Sequence, residues 1–425
     1  MTSDRKARPL NRLDRRFFWR DKSHQDSHSQ AEDLLPLAAH PLAGTEPPVI
    51  VETAAALGEM LVHLKAAGAF AFDSEFIGER SYEPRLCLVQ AATARQVFLA
   101  DPLKGLDLSG LWELLVDAGV EKIVLAGQQD FGPAVQKTGR PPANIMDLQI
   151  AAGFVYADYP LSLSRLLAEF VGVPVGKALT FTHWDNRPLS ARQVRYAADD
   201  VRYLPAAREA VGKRLAEAGR AAWAREECAA AMEDLALYRP APETLYLRVR
   251  GRDRLRRRQL AILQELAVVR DQAARQENVP PRTLLKDGIM LSLARRPARE
   301  LADLAAVKNL PRPVEFKYGR QIVEATAKAL ALPADRWPPE EPVEMDSLRE
   351  QVDGIWAGIA QACQERSIAL SLVASRKEVV RLCLACHGEA QRSRAAENGS
   401  SLEEHRLCRG WRKELLGDLL KKLIL

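Results

Sequence analysis

Residues 68–76 read GAFAFDSEF, and their alternation decides how the N-terminal half of this chain is read. A strand turns successive side chains to opposite faces. Phe70 and Phe72 therefore share one face, while Ala71, Asp73 and Glu75 share the other. The run stays apolar until it reaches its two acids. A carboxylate at the end of a buried strand loses hydration and needs a cation or hydrogen-bond donors to compensate. Two carboxylates on one face can bind one cation jointly, and sheets flanked by helices bind ligands beyond their strand ends. Two solvated acids at a strand tip are the plain alternative, and D-x-E by itself does not choose.

Two further stretches place acids beside ordered structure. KIVLAGQQDFG (122–132) is an apolar strand followed by a helix start, with Asp130 in the first turn. The helix dipole favours an acid there in any case. PLSARQVRYAADDVRYL (188–204) opens with an S-x-x-Q capping box at Ser190 and Gln193. At about 100° per residue, Val194, Ala197, Ala198, Val201 and Leu204 form an apolar stripe. Tyr196, Asp200 and Tyr203 fall on another face, and Pro205 ends or kinks the helix. Helical geometry leaves Asp199 and Asp200 both within reach of Tyr196; the bland reading of Asp199 is a solvated polar face.

Around these stretches the texture alternates. Strand candidates are VIV (49–51), RLCLVQAA (85–92), QVFLAD (96–101) and KIVLAG (122–127), with helical runs at 53–68 and 108–119 among them. Closely spaced middle strands with helices elsewhere predict an α/β domain, a mixed sheet flanked by helices. The boundaries read as a mobile basic tail over 1–46, the α/β domain over 47–215 and a helical connector over 216–244. An amphipathic helical domain follows over 245–332. A proline-rich linker covers 333–344 and a second helical domain 345–425.

Taken together, the acidic stretches resemble the DEDD exonucleases of the tyrosine-bearing subgroup, in particular the ribonuclease D family. Asp73-Ser74-Glu75 matches the first motif, Asp130 in GQQD the second, and Tyr196 with Asp200 the Y-x3-D of the third. The third motif thus selects Asp200 over Asp199. SYEPRLCLVQ (81–90) and KALTFTHWDNRPLS (177–190) resemble the family's intervening text. The likeness covers 47–332 firmly and reaches more loosely to the C-terminus. Residues 259–330 resemble the helicase-and-ribonuclease-D C-terminal (HRDC) domain, through VRDQAARQENVPPRTLLKD, LARRPARELADLAAV and GRQIVEAT. The last helical unit is similar to the second HRDC-like segment of the family.

The resemblance implies a ribonuclease H-like exonuclease fold followed by two all-α bundles. It also implies hydrolysis of RNA from the 3′ end to nucleoside 5′-monophosphates by two Mg²⁺ or Mn²⁺ ions. Asp73, Glu75, Asp130 and Asp200 would hold the metals, with Asp73 bridging them, and Tyr196 would orient the attacking water. Its substrates would be structured RNA precursors, tRNA among them, and the family leans to monomers. Lys177 and Arg187 are candidate phosphate contacts. So are Arg254 and Arg257, within seven arginines between 248 and 258 opposed only by Asp253. A solvated cationic face is the bland reading of that run.

The totals exclude several classes. The chain has 425 residues, 47% of them hydrophobic, and a net charge of +5, enough for two or three ordinary cored domains. No run approaches the roughly 18–20 apolar residues of a membrane span. The N-terminus lacks an apolar signal core, so the chain reads as cytoplasmic with reduced cysteines. Cys383, Cys386 and His387 spell C-x-x-C-H, but without an export signal and inside a helical run, haem attachment is rejected. A zinc site adding His405 or Cys408 fits no common spacing. Trp411 reads as core and not as a base platform. No GxxxxGK[ST] loop is present, which excludes a helicase. A DNA exonuclease would use the same acids, and a catalytically silent RNA-binding scaffold is the non-enzymatic alternative.

Overall fold

The structure, a computed structural model, describes residues 37–175, 183–340, 345–392 and 405–424. Strands β1 (Val49–Val51), β2 (Ala69–Ile77), β3 (Arg85–Ala92), β4 (Val97–Ala100), β5 (Glu121–Val124) and β6 (Ile145–Asp147) form one sheet in the order β1-β4-β3-β2-β5-β6. β1 runs parallel to β4, and β2 and β6 run parallel to β5, whereas β3 is antiparallel to β4, so the sheet is mixed as the sequence predicts. The strand β6 escapes the sequence reading. Ile145-Met146-Asp147 ends in an acid and lacks the β-branched run that made VIV legible as β1.

Helices α1 (Ala54–Ala67), α2 (Ser109–Leu115), α3 (Gly132–Thr138), α4 (Leu148–Ala152), α5 (Leu163–Phe170), α6 (Ala191–Arg202), α7 (Leu204–Glu217) and α8 (Ala221–Glu233) accompany the sheet. Thr53 caps α1 by accepting from the Ala56 N–H at 3.2 Å. Gly68 ends that helix in the left-handed region at φ 70°, which glycine adopts freely, and feeds directly into β2. On one sheet face Phe70, Phe72, Val89, Ala91, Phe98 and Ala100 pack with Leu57, Met60 and Leu64 of α1 and Leu111 and Leu115 of α2. Burying each of those phenylalanines contributes about 1.5–3 kcal/mol. The other face receives α6, which packs against β4 through its buried Ala197, Ala198 and Val201. Alternation in β2 thus commits the phenylalanines to a core and the acids to the side where α6 lies.

The expected tail over 1–46 is corrected in its described part. Arg202, 2% exposed at the end of α6, donates to the carbonyls of Gly44 and Glu46, and the Tyr203 hydroxyl donates to the Ala38 carbonyl at 3.2 Å. Residues 38–46 are therefore docked by a buried arginine that needs acceptors. Residues 1–36 lie outside the described residues.

A second compact unit comprises, among the described residues, Phe76–Arg85 and Pro240–Glu340. Its helices are α9 (Arg257–Glu277), α10 (Pro281–Leu284), α11 (Asp287–Arg295), α12 (Leu301–Leu304) and α13 (Arg312–Leu330). Leu260, Leu263 and Leu266 of α9 pack with Met290, Leu293, Val314, Tyr318 and Ile322. Arg270, 6% exposed, is matched by Asp287 at 2.7 Å and by the Leu285 carbonyl at 3.3 Å. The segment 76–85 joins this unit through Tyr82. Its hydroxyl donates to Asp271 at 2.5 Å, its N–H donates to Asn278 Oδ1 at 3.1 Å, and the Arg275 guanidinium lies 4.4 Å from its ring centroid.

Helices α14 (Arg349–Glu365), α15 (Leu370–Val373), α16 (Arg376–Arg392) and α17 (Gly410–Ile424) cluster with the sheet-bearing unit. Trp411 is fully buried, its ring 4.7 Å from Phe154 and 5.9 Å from Trp223. Cys383 is buried, and the His405 ring caps a short turn by accepting from the Leu407 N–H at 3.3 Å. No described helix is long and apolar enough to cross a membrane.

Arg412 fastens these helices to α8. Its guanidinium donates to both Glu227 oxygens at 2.6 and 2.7 Å and to the carbonyls of Val373 and Leu372 at 2.9 and 2.8 Å. Burial alone would raise the Glu227 carboxyl, but the bonds from Arg412 and Trp411 and the nearby Arg406 hold it below its ordinary 4.5. Removing one member of a buried pair strands the other. Arg412→Ala should therefore lower stability by about 3 kcal/mol at pH 7 in urea melts followed by tryptophan fluorescence. A carboxyl depressed in the folded state stabilises above its unfolded pKa and loses that contribution as pH falls through its folded one. The gap between the parent and Arg412→Ala should thus narrow progressively below about pH 4.

Candidate active site

Three segments deliver the acids. β2 carries Asp73 and Glu75 on its α6 side. After β5 the chain turns sharply: Ala126 adopts φ 56°, and a Cβ on Gly127 would stand 2.6 Å from the Val124 Cβ, so the turn closes only over glycine. The 3₁₀ turn Gly127–Phe131 then presents Asp130. Asp147 pins this bend from β6, accepting from the Ala126 N–H at 3.0 Å and the Gln149 N–H at 2.9 Å. The third segment is α6. Its capping box is formed: Ser190 Oγ accepts from the Gln193 N–H at 3.2 Å, and Gln193 Oε1 accepts from the Ser190 N–H at 2.9 Å. One turn apart on this helix, the Tyr196 hydroxyl donates to the Asp200 carboxylate. Trp184, 5% exposed, lies 6.1 Å from the Tyr196 ring, centroid to centroid.

Pairs of these acids from different segments lie close enough to repel one another. Burial first, then repulsion from Asp130 and Asp200, holds the Asp73 carboxyl well above the usual 3.8. Burial together with Asp73 and Asp130 pushes Glu75 up to about 8. Burial and Glu75 push Asp200 to about 8, against the opposing bond from Tyr196. Asp130 rises to about 6 through burial, with the Ser74 hydroxyl bond opposing and Asp147 adding repulsion. Tyr196 is raised too, by burial and by the charges of Asp200, Glu75 and Asp73. The groups that chiefly shift these four carboxyls are themselves acids or neutral donors.

An assembly of oxygen-only anions in a half-buried place fits hard divalent cations, which carboxylates prefer. The residues fit the group by donor chemistry and by charge. Among the described residues no three such side chains close on one point as a finished ligand cage, so the fit rests on the mutual proximity of the acids.

Some expectations for neighbouring residues change. Asp199 is not on a solvated face; it pairs with Arg195 at 2.6 Å and with buried Arg202 at 3.4 Å. Arg187 is not a free phosphate contact. All five of its donor positions are engaged, on Asp101 at 2.5 and 2.7 Å and on the carbonyls of Trp184, Asn186 and Cys87. Burial opposes, but the Arg187 bonds hold the Asp101 carboxyl below its ordinary value. Arg187 therefore locks the approach to α6 onto β3 and β4. Arg257 is exposed, but its guanidinium is engaged on the carbonyls of Ala334, Trp337 and Pro338 at 3.0–3.4 Å. It ties the start of α9 to the proline-rich linker. Arg254 is exposed, and Lys177 lies outside the described residues.

Ser74, Asp147 and Asp101 support the site and escaped the sequence reading. Ser74 stands inside the D-x-E motif, where it reads as a spacer; its hydroxyl donates to Asp130 Oδ1, fifty-six positions away in the chain. Asp147 and Asp101 each precede a helical turn, and both cap one, through Gln149 and Leu103. That capping position was the available signal.

Fold and acids together define a 3′–5′ exonuclease. Residues 48–216 match the family of 3′-5′ exonucleases, and residues 259–326 match the HRDC domain. Enzymes of this exonuclease family are generally dependent on divalent metal ions. The chain is 33% identical to ribonuclease D of Gluconacetobacter diazotrophicus, over 88% of its own length and 92% of that protein. It is 33% identical to ribonuclease D of Acidiphilium cryptum, over 87% and 91%. Among solved structures it is similar to Escherichia coli RNase D, described as an exoribonuclease involved in structured RNA processing. The TM-score there is 0.74 and the identity 28%, covering 89% of this chain and 98% of that one. The chain belongs to the ribonuclease D family of 3′–5′ exoribonucleases.

Because the acids repel one another, Asp73→Asn should melt no lower than the parent in EDTA and should gain less from added Mn²⁺, read by scanning calorimetry. Ser74→Ala should leave Asp130 without its donor. It should raise the Mn²⁺ concentration needed for half-maximal thermal shift, on the order of tenfold, while Ser74→Thr restores it. An unchanged Mn²⁺ midpoint in Ser74→Ala would show that the hydroxyl does not orient Asp130.

Proposed function

We propose that this chain trims RNA from the 3′ end, releasing nucleoside 5′-monophosphates, with Asp73, Glu75, Asp130 and Asp200 as metal ligands and Tyr196 as the water-orienting group. The observation that supports this reading best is the mutual repulsion of four carboxylates delivered by three distant segments, an arrangement that a fold built only for stability would avoid. Two divalent ions held there, Mg²⁺ or Mn²⁺, would supply Lewis-acid stabilisation of the phosphate and a more acidic water.

The chain's own groups have separable tasks. Asp73 feels Asp130 and Asp200 together, which suits a ligand shared between two ions. Glu75 and Asp200 repel each other and sit on the Tyr196 side, whereas Asp130 is steadied by Ser74. Tyr196 keeps its proton throughout the physiological range, because burial and the surrounding anions raise its pKa. It therefore acts as a hydrogen-bond donor that orients, and not as a base. The substrates proposed are structured RNA precursors, tRNA among them, in line with the processing role described for the Escherichia coli relative. A monomer is the proposed working unit. The exonuclease domain is assigned to 47–215 and the helical domains to 245–332 and 345–425.

Labelled RNA and DNA oligomers incubated with and without Mg²⁺ test the reading. The parent should shorten RNA from its 3′ end only with the metal. Asp73→Asn, Asp130→Asn and Asp200→Asn should each reduce kcat by roughly a thousandfold or more with intact circular dichroism, and Tyr196→Phe by roughly ten- to a hundredfold. A near-normal rate for Asp73→Asn would sink the assignment, and faster loss of DNA than of RNA would move the substrate to DNA.

A further inference from the structure

Of the large hydrophobic side chains described, Phe316 is the most exposed. It stands on α13 with 84% of its surface open, whereas Val314, Tyr318 and Ile322 on the opposite side of that helix are buried. Leu301 of α12, 55% exposed, reaches the same helix about one turn further on: a Cβ on Gly319 would come within 3.4 Å of Leu301 Cδ2. Arg312 and Arg320 stand four residues before and after Phe316, which places both on the same exposed stripe. Arg312 faces Glu315 at 2.7 Å with its side chain 75% exposed, and Arg320 has no ion-pair partner among the described residues. The acids of this stripe are Glu315, already matched by Arg312, and Glu324, one turn beyond Arg320.

An exposed aromatic side chain with an arginine one helical turn to either side is a combination that single-stranded nucleic acid recruits, because any base can stack while cations meet the flanking phosphates. A protein ridge would cover Phe316 and Leu301 but would have to desolvate both arginines. RNA meets the apolar and the cationic parts at once. We propose that Phe316, flanked by Arg312 and Arg320, is a base-stacking site for single-stranded RNA on the HRDC unit. The proposal rests on RNA being the substrate, and it adds a contact that needs no metal.

The test uses the full chain in EDTA, where nothing is cleaved, and fluorescence anisotropy of two labelled probes of about twelve nucleotides: oligoadenylate and a ribose-phosphate oligomer without bases. Phe316→Ala should weaken oligoadenylate binding by roughly tenfold and leave the abasic probe unchanged, and Phe316→Tyr should retain both affinities. Arg312→Gln with Arg320→Gln should weaken both probes and flatten their salt dependence. Hydrolysis of a diadenosine dinucleotide with Mg²⁺ by the parent protein tests the catalytic acids separately. Failure there while the binding result holds would count against the catalytic reading and leave the stacking site standing. Undiminished oligoadenylate affinity in Phe316→Ala, or an equal loss on the abasic probe, overturns the proposal. So does a variant that changes only self-association in sedimentation, which would make this face a contact between copies of the chain.

Discussion

Four carboxylates held against their own repulsion are the constraint on which the sheet-bearing unit depends. Left alone, Asp73, Glu75, Asp130 and Asp200 would separate or protonate, and their raised pKa values express that tension. The fold opposes it by mechanical means. Asp73 and Glu75 are fixed by the phenylalanines that alternate with Asp73 on β2. Asp130 is fixed by a glycine-dependent turn, by Asp147 beneath it and by Ser74 beside it. Asp200 is fixed by a helix whose start is capped and whose end is anchored by buried Arg202. A metal ion would relieve what the scaffold only restrains.

Arginine carries much of that restraint. The mild net charge of +5 invites the reading that cations line a nucleic-acid path. Several of them face inward. Arg187, Arg202, Arg270 and Arg412 each place a planar, many-donor group on carbonyls or carboxylates. Lysine could not replace them, since its point charge cannot fork onto several acceptors at fixed angles. Exposed cations stand elsewhere, among them Arg254 within the arginine run and Arg320 one turn from Phe316.

What could be read from the chain, and what could not, follows from the range of the interactions. Alternation in GAFAFDSEF, the capping box at Ser190 and Gln193 and the apolar stripe of α6 are local, and each was legible. β6, no shorter than the legible VIV of β1, lacks its β-branched run and ends in an acid. Asp199 and Arg187 were misjudged for one reason: a charged side chain looks solvated until its partner is known. Arg202 is three residues from Asp199, but Asp101 is far from Arg187 in sequence. Ser74 was the most informative miss, because the motif that contains it draws attention to its neighbours.

The sequence by itself determined the alternation that separates core from site, the identity of the acids and tyrosine, and membership of a family, because these are carried by short spacings and residue types. Only the tertiary structure decided which acids repel one another, that Asp130 is bonded by Ser74 after a bend that Asp147 holds, and which arginines are engaged on distant acceptors. Those outcomes depend on contacts between segments tens to hundreds of residues apart, and burial, the quantity that sets their energies, exists only once the chain has closed on itself.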